Sequence, residues 1–163
     1  MVEYMKLLKI ILVFIILILF IRVVSERQID DVSPEIQCDA ELLEKSDVFY
    51  VIPMFNNKSI ADNQTWCQDI LAMNKTLAMH GVYHTFEEFK EPRSEEYLQI
   101  GIVAFENCFN QTPVRFKPPQ VVISKENMAL IRRKMKLDTY AYVHKNYHCN
   151  DTGVYPNWFR DLI

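Results

Sequence analysis

Short β-rich runs alternate with helical patterns along most of this chain, and that alternation limits the folds open to it. Residues 48–52 form a β-rich run ended by Pro53. Residues 62–73 read as a helix capped by Asp62, and 76–79 as a strand running straight into His80. Ser94 is a good N-cap, with Glu95 and Glu96 in the first turn and Leu98, Ile102, Phe105 and Phe109 on one face. Residues 114–116 are extended and stopped by Pro118 and Pro119. Ser124 caps a further helix, with Met128, Ile131 and Met135 inward and Arg132, Arg133, Lys134 and Lys136 outward. A strand at 139–143 and a last helical turn at 156–159 complete the series. Strands separated by helices predict an α/β fold with a largely parallel sheet. In such sheets, sites lie beyond the carboxyl ends of the strands.

The N-terminus has a different character. Lys6 and Lys9 precede an unbroken apolar run at 10–21, followed by Arg22. A positive flank and a hydrophobic segment direct a chain to a secretory pathway. No small-residue cleavage site follows in Arg22-Val23-Val24-Ser25-Glu26-Arg27. Residues 1–24 therefore read as an uncleaved signal-anchor helix, a single transmembrane segment, and 25–28 as a linker. Residues 29–163 form one domain, extracytoplasmic by the positive-inside rule, or secreted if the segment is cleaved. Four cysteines, Cys38, Cys67, Cys108 and Cys149, lie outside the anchor and include no Cys-x-x-Cys pair. In an exported domain they suggest two disulfides, with three pairings open, or one bridge and two buried thiols. Five Asn-x-Ser/Thr sequons, at Asn57, Asn63, Asn74, Asn110 and Asn150, where composition alone gives fewer than one, suggest a glycoprotein. The net charge is −3 and no basic patch carries interleaved aromatics, which excludes a nucleic-acid partner.

Chemistry concentrates in a few residues. Asp30 and Asp31 are adjacent, and His80 and His84 stand four apart. Imidazole nitrogens and one carboxylate oxygen suit zinc or a similar divalent metal. The second carboxylate is then free to take a proton from water. Asp30 and Asp31 precede the turn signal Val32-Ser33-Pro34, His80 follows 76–79, Lys117 follows 114–116 and His144 follows 139–143. Four segments thus deliver polar groups to one rim. His144 and His148 repeat the four-residue spacing, leaving a second metal cluster open. Glu87, Glu88, Glu91, Glu95 and Glu96 read as a solvated acidic face. Tyr83, Phe86 and Trp158 could stack on sugar rings, but core packing is the readier expectation for each.

Taken in order, Ile29-Asp30-Asp31-Val32-Ser33-Pro34, Val51-Ile52-Pro53, Met79-His80-Gly81-Val82-Tyr83-His84, Phe116-Lys117-Pro118-Pro119 and the late histidines resemble the polysaccharide deacetylase superfamily, of carbohydrate esterase type, and within it an uncharacterised deacetylase-like branch. The likeness runs from about Gln28 to the end. It implies a distorted or shortened (β/α) barrel and a metal-dependent hydrolase that removes N-acetyl or related acyl groups from carbohydrate. It implies Asp30 as general base, Asp31, His80 and His84 as metal ligands, Lys117 as the cation orienting Asp30, and His148, ahead of His144, as general acid. A backbone N–H near Tyr83 would stabilise the oxyanion. Three features depart from the pattern. Lys117 stands where the family usually has Arg, and a Lys cannot make a bidentate fork. Arg115, two positions earlier, is expected on the opposite strand face. Gln120 stands where many members have an aromatic or glycine, and five or six strand candidates are few for a full barrel. A non-catalytic domain binding carbohydrate or a surface partner is the alternative.

Overall fold

The computed structural model describes residues 2–139 and 145–162. Its strands are β1 (Arg27–Val32), β2 (Val48–Val51), β3 (Thr76–His80), β4 (Arg115–Lys117), β5 (Lys136–Leu137) and β6 (Lys145–His148). Its α-helices are α1 (Val2–Val24), α2 (Ala40–Lys45), α3 (Gln64–Ala72), α4 (Glu95–Phe109), α5 (Lys125–Arg132) and α6 (Asn157–Leu162). All six strands form one sheet in the order β5-β4-β3-β2-β1-β6, and every neighbouring pair is parallel. The fold is therefore α/β with a parallel sheet. β1 to β5 follow chain order and β6 returns to the free side of β1. A barrel of (β/α) units has this neighbour order, here open between β5 and β6 among the described residues. The strand expected at 139–143 and His144 fall on the segment 140–144, outside the described residues.

Side chains alternate along each strand, so each face of the sheet has its own chemistry. Ile29, Phe49, Val51, Leu77, Met79, Phe116 and Tyr147 all enter the main core. The helices close that core with Ile70 from α3, Leu98, Ile102, Phe105 and Phe109 from α4, and Leu130 and Ile131 from α5. The alternate positions on the other face are Gln28, Asp30, Tyr50, Ala78, His80, Arg115, Lys117, Asn146 and His148. That face is mostly polar and nearly all buried.

Local capping sets the helix starts. Ser94 Oγ accepts the Tyr97 N–H and Ser124 Oγ accepts the Asn127 N–H, as their positions imply. α3 starts later than expected: Asp62 closes a 3-10 turn, and Asn63 Oδ1 caps the helix by accepting the Trp66 N–H at 3.1 Å. β1 begins at Arg27, inside the stretch expected as linker, because Gln28 is buried in the sheet.

The N-terminal segment is helical, and its apolar side chains from Leu7 to Phe20 are exposed. Among the described residues, no helix is long and apolar enough to cross a membrane. On that criterion the expected membrane anchor is not supported.

Two disulfides form, Cys38–Cys149 and Cys67–Cys108. The first ties the segment after β1 to the residue following His148. The second joins α3 to α4. Replacing Cys38 and Cys149 together by Ser is expected to lower stability by about 2–5 kcal/mol in urea unfolding under oxidising conditions.

On the polar face, Arg115 donates to Asp138 Oδ2 at 2.8 Å and to the carboxylate of the exposed Glu26 at 2.9 Å, and Tyr50 Oη donates to Asp138 Oδ2 at 2.8 Å. Burial pushes the Asp138 carboxyl up, but the bonds from Arg115 and Tyr50 hold it below the ordinary carboxylate range. A folded-state pKa below the unfolded value of about 3.9 adds stability above that pH, and the gain is lost as the pH falls through the folded value. Asp138→Asn should thus be less stable than wild type at pH 7. The gap in melting temperature should narrow as the pH falls below about 4.

Candidate metal and acid–base site

Adjacent residues of a regular strand point to opposite faces, so Asp30 and Asp31 cannot both serve one site without a break in β1. The break is present. The pairing of β1 with β2 shifts register between Ile29 and Val32, and Asp31 takes a left-handed φ of 64°. Asp tolerates that region better than most residues. Both carboxylates consequently face the same buried space, at 3% and 4% exposure.

Around Asp31, the ligand atoms of Asp31, His80 and His84 lie within 4.8 Å of one another. Asp31 Oδ1 is 2.9 Å from His84 Nε2 and 3.4 Å from His80 Nε2. Despite those distances it is buried with no aligned hydrogen-bond partner. Its other oxygen, Oδ2, accepts the Thr152 hydroxyl at 2.6 Å, which leaves Oδ1 as the single free ligand. His80 Nδ1 lies 3.0 Å from the Lys117 carbonyl oxygen and donates to it, which turns Nε2 toward Asp31. A histidine that ligates a metal is commonly held by such a bond from its other nitrogen. A carboxylate oxygen facing two imidazole Nε2 atoms is, with the rings neutral, the donor set that a borderline-soft divalent cation satisfies. The three residues fit a metal. Burial raises the Asp31 carboxyl, but His80 and His84 hold it far below the ordinary range. Burial lowers His80, and the two aspartates outweigh it and raise the imidazole.

Asp30 sits in a second knot. Lys117 Nζ donates to Asp30 Oδ1 at 2.7 Å, Gln28 Oε1 at 2.8 Å and Asn146 Oδ1 at 2.9 Å, which uses all three protons of an ammonium. Below it lies the Tyr50 ring, 3.8 Å from Nζ to the centroid, a cation–π contact. Asn146 Nδ2 donates to Asp30 Oδ2 at 2.8 Å. Lys117 and Asn146 therefore grip both carboxylate oxygens, the two-point hold that a single Lys was not expected to give. Arg115 is on the same face as Lys117, not the opposite one, because residues two apart on a strand face alike. It lies deeper, bound to Glu26 and Asp138, and does not reach Asp30. Burial pushes the Asp30 carboxyl up, but Lys117, His80 and His148 together keep it below the usual range. Burial also drags the Lys117 ammonium down, and Asp30 opposes this.

His148, at the end of β6, has Nε2 3.7 Å from Asp30 Oδ2. Its Nδ1 is buried without a partner. Asn157 holds its backbone on both sides, accepting the His148 N–H at 2.9 Å and donating to its carbonyl at 2.8 Å. Burial keeps its imidazole below the ordinary histidine range.

The structure thus brings together all six residues singled out in the sequence: Asp30, Asp31, His80, His84, Lys117 and His148. Other expectations change. Glu88 is fully buried, not part of a solvated face, and its Oε1 accepts the Tyr83 N–H at 2.8 Å. That N–H is engaged and does not face the site as an oxyanion donor. Phe86 and Trp158 are exposed at 82% and 65%, not core. Gln28, Asn146 and Thr152 escaped sequence reading. Gln28 and Asn146 were within reach of it, since each stands two residues before a singled-out side chain on the same strand face. Thr152 was read only as the end of the Asn150 sequon.

No protein-family model matches the sequence, and no curated protein matches it. Solved structures do. BA3943, a CE4 family pseudoenzyme from Bacillus anthracis, superposes with a TM-score of 0.50 at 17% identity, over 70% of this chain and 43% of its own. A mutant of BA3943 gives 0.51 at 15%, over 69% and 42%. The polysaccharide deacetylase Bc1974 from Bacillus cereus gives 0.50 at 14%, over 69% and 59%. This chain has the fold of the CE4 polysaccharide deacetylases. It spans about two-fifths to three-fifths of the length of those three chains. The CE4 likeness expected from the ordered motifs therefore holds at the level of fold, and it includes a pseudoenzyme as well as an enzyme.

Within this CE4 fold, Lys117 is the counter-charge of a buried carboxylate. Removing one partner of a buried ion pair strands the other. Lys117→Met should lower stability by about 3–5 kcal/mol at pH 7 in denaturant unfolding. The double variant Lys117→Met/Asp30→Asn should recover a large part of that loss.

Proposed function

We propose that this chain is an exported, metal-dependent hydrolase that removes N-acetyl or related acyl groups from carbohydrate, with zinc as its metal. The observation that carries the reading is the orphaned Asp31 Oδ1, faced by His80 Nε2 and His84 Nε2 beside the gripped carboxylate of Asp30. When bound, a divalent cation supplies positive charge that polarises an acyl carbonyl and acidifies water. Asp31, His80 and His84 are the residues that would hold it.

The chain's own groups do the rest. Asp30 is the base: its oxygens each keep a lone pair beyond the bonds from Lys117 and Asn146. Those two donors fix the carboxylate plane, so a proton leaving the attacking water meets a set orientation. His148 stands 3.7 Å from Asp30 Oδ2, close enough to take on the proton that Asp30 removes from water, and in that protonated form it returns a proton to the departing nitrogen, which would otherwise leave as a poor amide anion. Exposed Phe86 and Trp158 offer flat apolar faces to a sugar ring. Export is supported by the two disulfides, which persist in oxidising compartments. The five sequon asparagines are exposed, which suits the same compartment.

One observation favours the second reading, a non-catalytic domain of the same fold that binds carbohydrate. The backbone N–H groups of Val82, Tyr83 and His84, where an oxyanion donor was expected, are spent on Glu88. Metal analysis paired with acetate release from acetylated chito-oligosaccharides separates the two. A hydrolase carries about one zinc per chain and releases acetate. Asp30→Asn should then cut turnover by about 10²–10⁴-fold and leave the zinc content unchanged. Zinc without acetate release points to the binding domain, and a chain without metal ends the hydrolase reading.

A further inference from the structure

Two imidazoles flank Asp31, and the fold supports them differently. His80 ends β3 and is placed by the sheet. His84 lies in a loop, with a left-handed φ of 59° that a non-glycine residue adopts at some cost. Backbone bonds reach the start of the loop, from the Gly81 N–H to the Lys117 carbonyl at 3.1 Å and from the Met54 N–H to the Val82 carbonyl at 2.9 Å, but neither takes up the N–H groups of Val82, Tyr83 and His84.

The group that does is the buried carboxyl of Glu88, which the chemistry above leaves unused. Its Oε1 accepts the N–H of Tyr83 at 2.8 Å and of Val82 at 3.1 Å, and its Oε2 accepts the N–H of His84 at 3.1 Å. Three consecutive backbone donors thus converge on one side chain, where they would otherwise be left without a fixed acceptor. The Tyr97 hydroxyl on α4 donates to Oε1 at 2.6 Å and anchors the carboxyl from behind. The Glu88 backbone is fixed in turn, since its carbonyl accepts Arg93 Nε at 2.7 Å and the next residue, Phe89, packs edge-on against Phe116 of β4. The approach needs Gly81. Its φ is 67°, and a Cβ there would come within 2.2 Å of Glu88 Oε2 and 2.7 Å of Pro119 Cγ.

We propose that Glu88 is the positioning residue for His84: it shapes the loop so that the His84 ring meets Asp31 and His80, and so sets the affinity of this site for a divalent cation. The inference rests on the metal-site reading above. Glu88 touches neither cation nor substrate and acts only through His84.

The test uses the full chain, stripped by chelator and titrated with zinc in a calorimeter. Glu88→Gln preserves volume but has a single acceptor oxygen, and its amide nitrogen must face a backbone N–H in either orientation. Zinc affinity should fall by about 10–100-fold, the usual scale for a group that orients a metal ligand. His84→Ala should also weaken binding. In the His84→Ala background, Glu88→Gln should cost little more, because the ring it positions is gone. With cobalt(II) in place of zinc, the visible absorption of Glu88→Gln should shift toward that of His84→Ala. Wild-type affinity in Glu88→Gln, or a full loss that persists without His84, overturns the inference while leaving the metal site standing. A wild type that binds no zinc removes the metal site and this inference together. If Glu88→Gln does not fold, Tyr97→Phe decides: it removes one anchor of the carboxyl and should weaken zinc by several-fold, and unchanged affinity overturns the inference.

Discussion

Adjacent residues of an extended strand face opposite ways, and the candidate site depends on β1 breaking that rule. The left-handed turn at Asp31 sends both carboxylates into the polar face of the sheet. Without it, Asp30 would sit alone with Lys117, and Asp31 would be driven into the apolar core on the face of Ile29. A buried carboxylate with no partner is costly enough to be excluded from such a core. The turn is tolerable because Thr152 captures one oxygen of Asp31 and the imidazoles face the other.

The two aspartates have different surroundings. Asp30 is surrounded by donors: an ammonium on one oxygen, an amide on the other. Asp31 keeps one oxygen facing the Nε2 atoms of His80 and His84. The first arrangement suits a carboxylate that must stay oriented, and the second suits a ligand. Lys117 can replace a guanidinium only because Asn146, one strand beyond β1, supplies the second donor. Gln28 completes the ammonium's shell. The hold on Asp30 is therefore assembled from three strands, not delivered by one side chain.

The sheet carries this arrangement because its strands are short, parallel and two-faced. One face is packed by α3, α4 and α5, and the other gathers nearly every buried charge in the domain. Arg115, Asp138 and Tyr50 bond one another further along the polar face, where Arg115 also reaches the exposed Glu26, and Lys117 pairs with Asp30 near the rim. The Cys38–Cys149 bridge holds the end of β6, and with it His148, against the segment after β1. Solved structures with the same fold include both a deacetylase and a pseudoenzyme, so the sheet by itself does not decide activity.

Much of this was legible in the residues themselves. Strand and helix alternation announced the parallel sheet, Ser94 and Ser124 marked their helices, and the order of Asp30, Asp31, His80, His84, Lys117 and His148 marked the rim, because residue type and period act locally. The pairing of four cysteines, the left-handed Asp31, the Lys117–Asn146 grip and the burial of Glu88 were decided only in three dimensions. Each depends on groups far apart in the chain: Asn146 is 116 residues from Asp30 and Thr152 is 121 from Asp31. Glu88 looked like one more acid in a charged run, since nothing nearby in sequence says which backbone donors will turn toward it. Local patterns determine which elements form; which polar groups lose water together is determined by how those elements pack, and that contact makes the site.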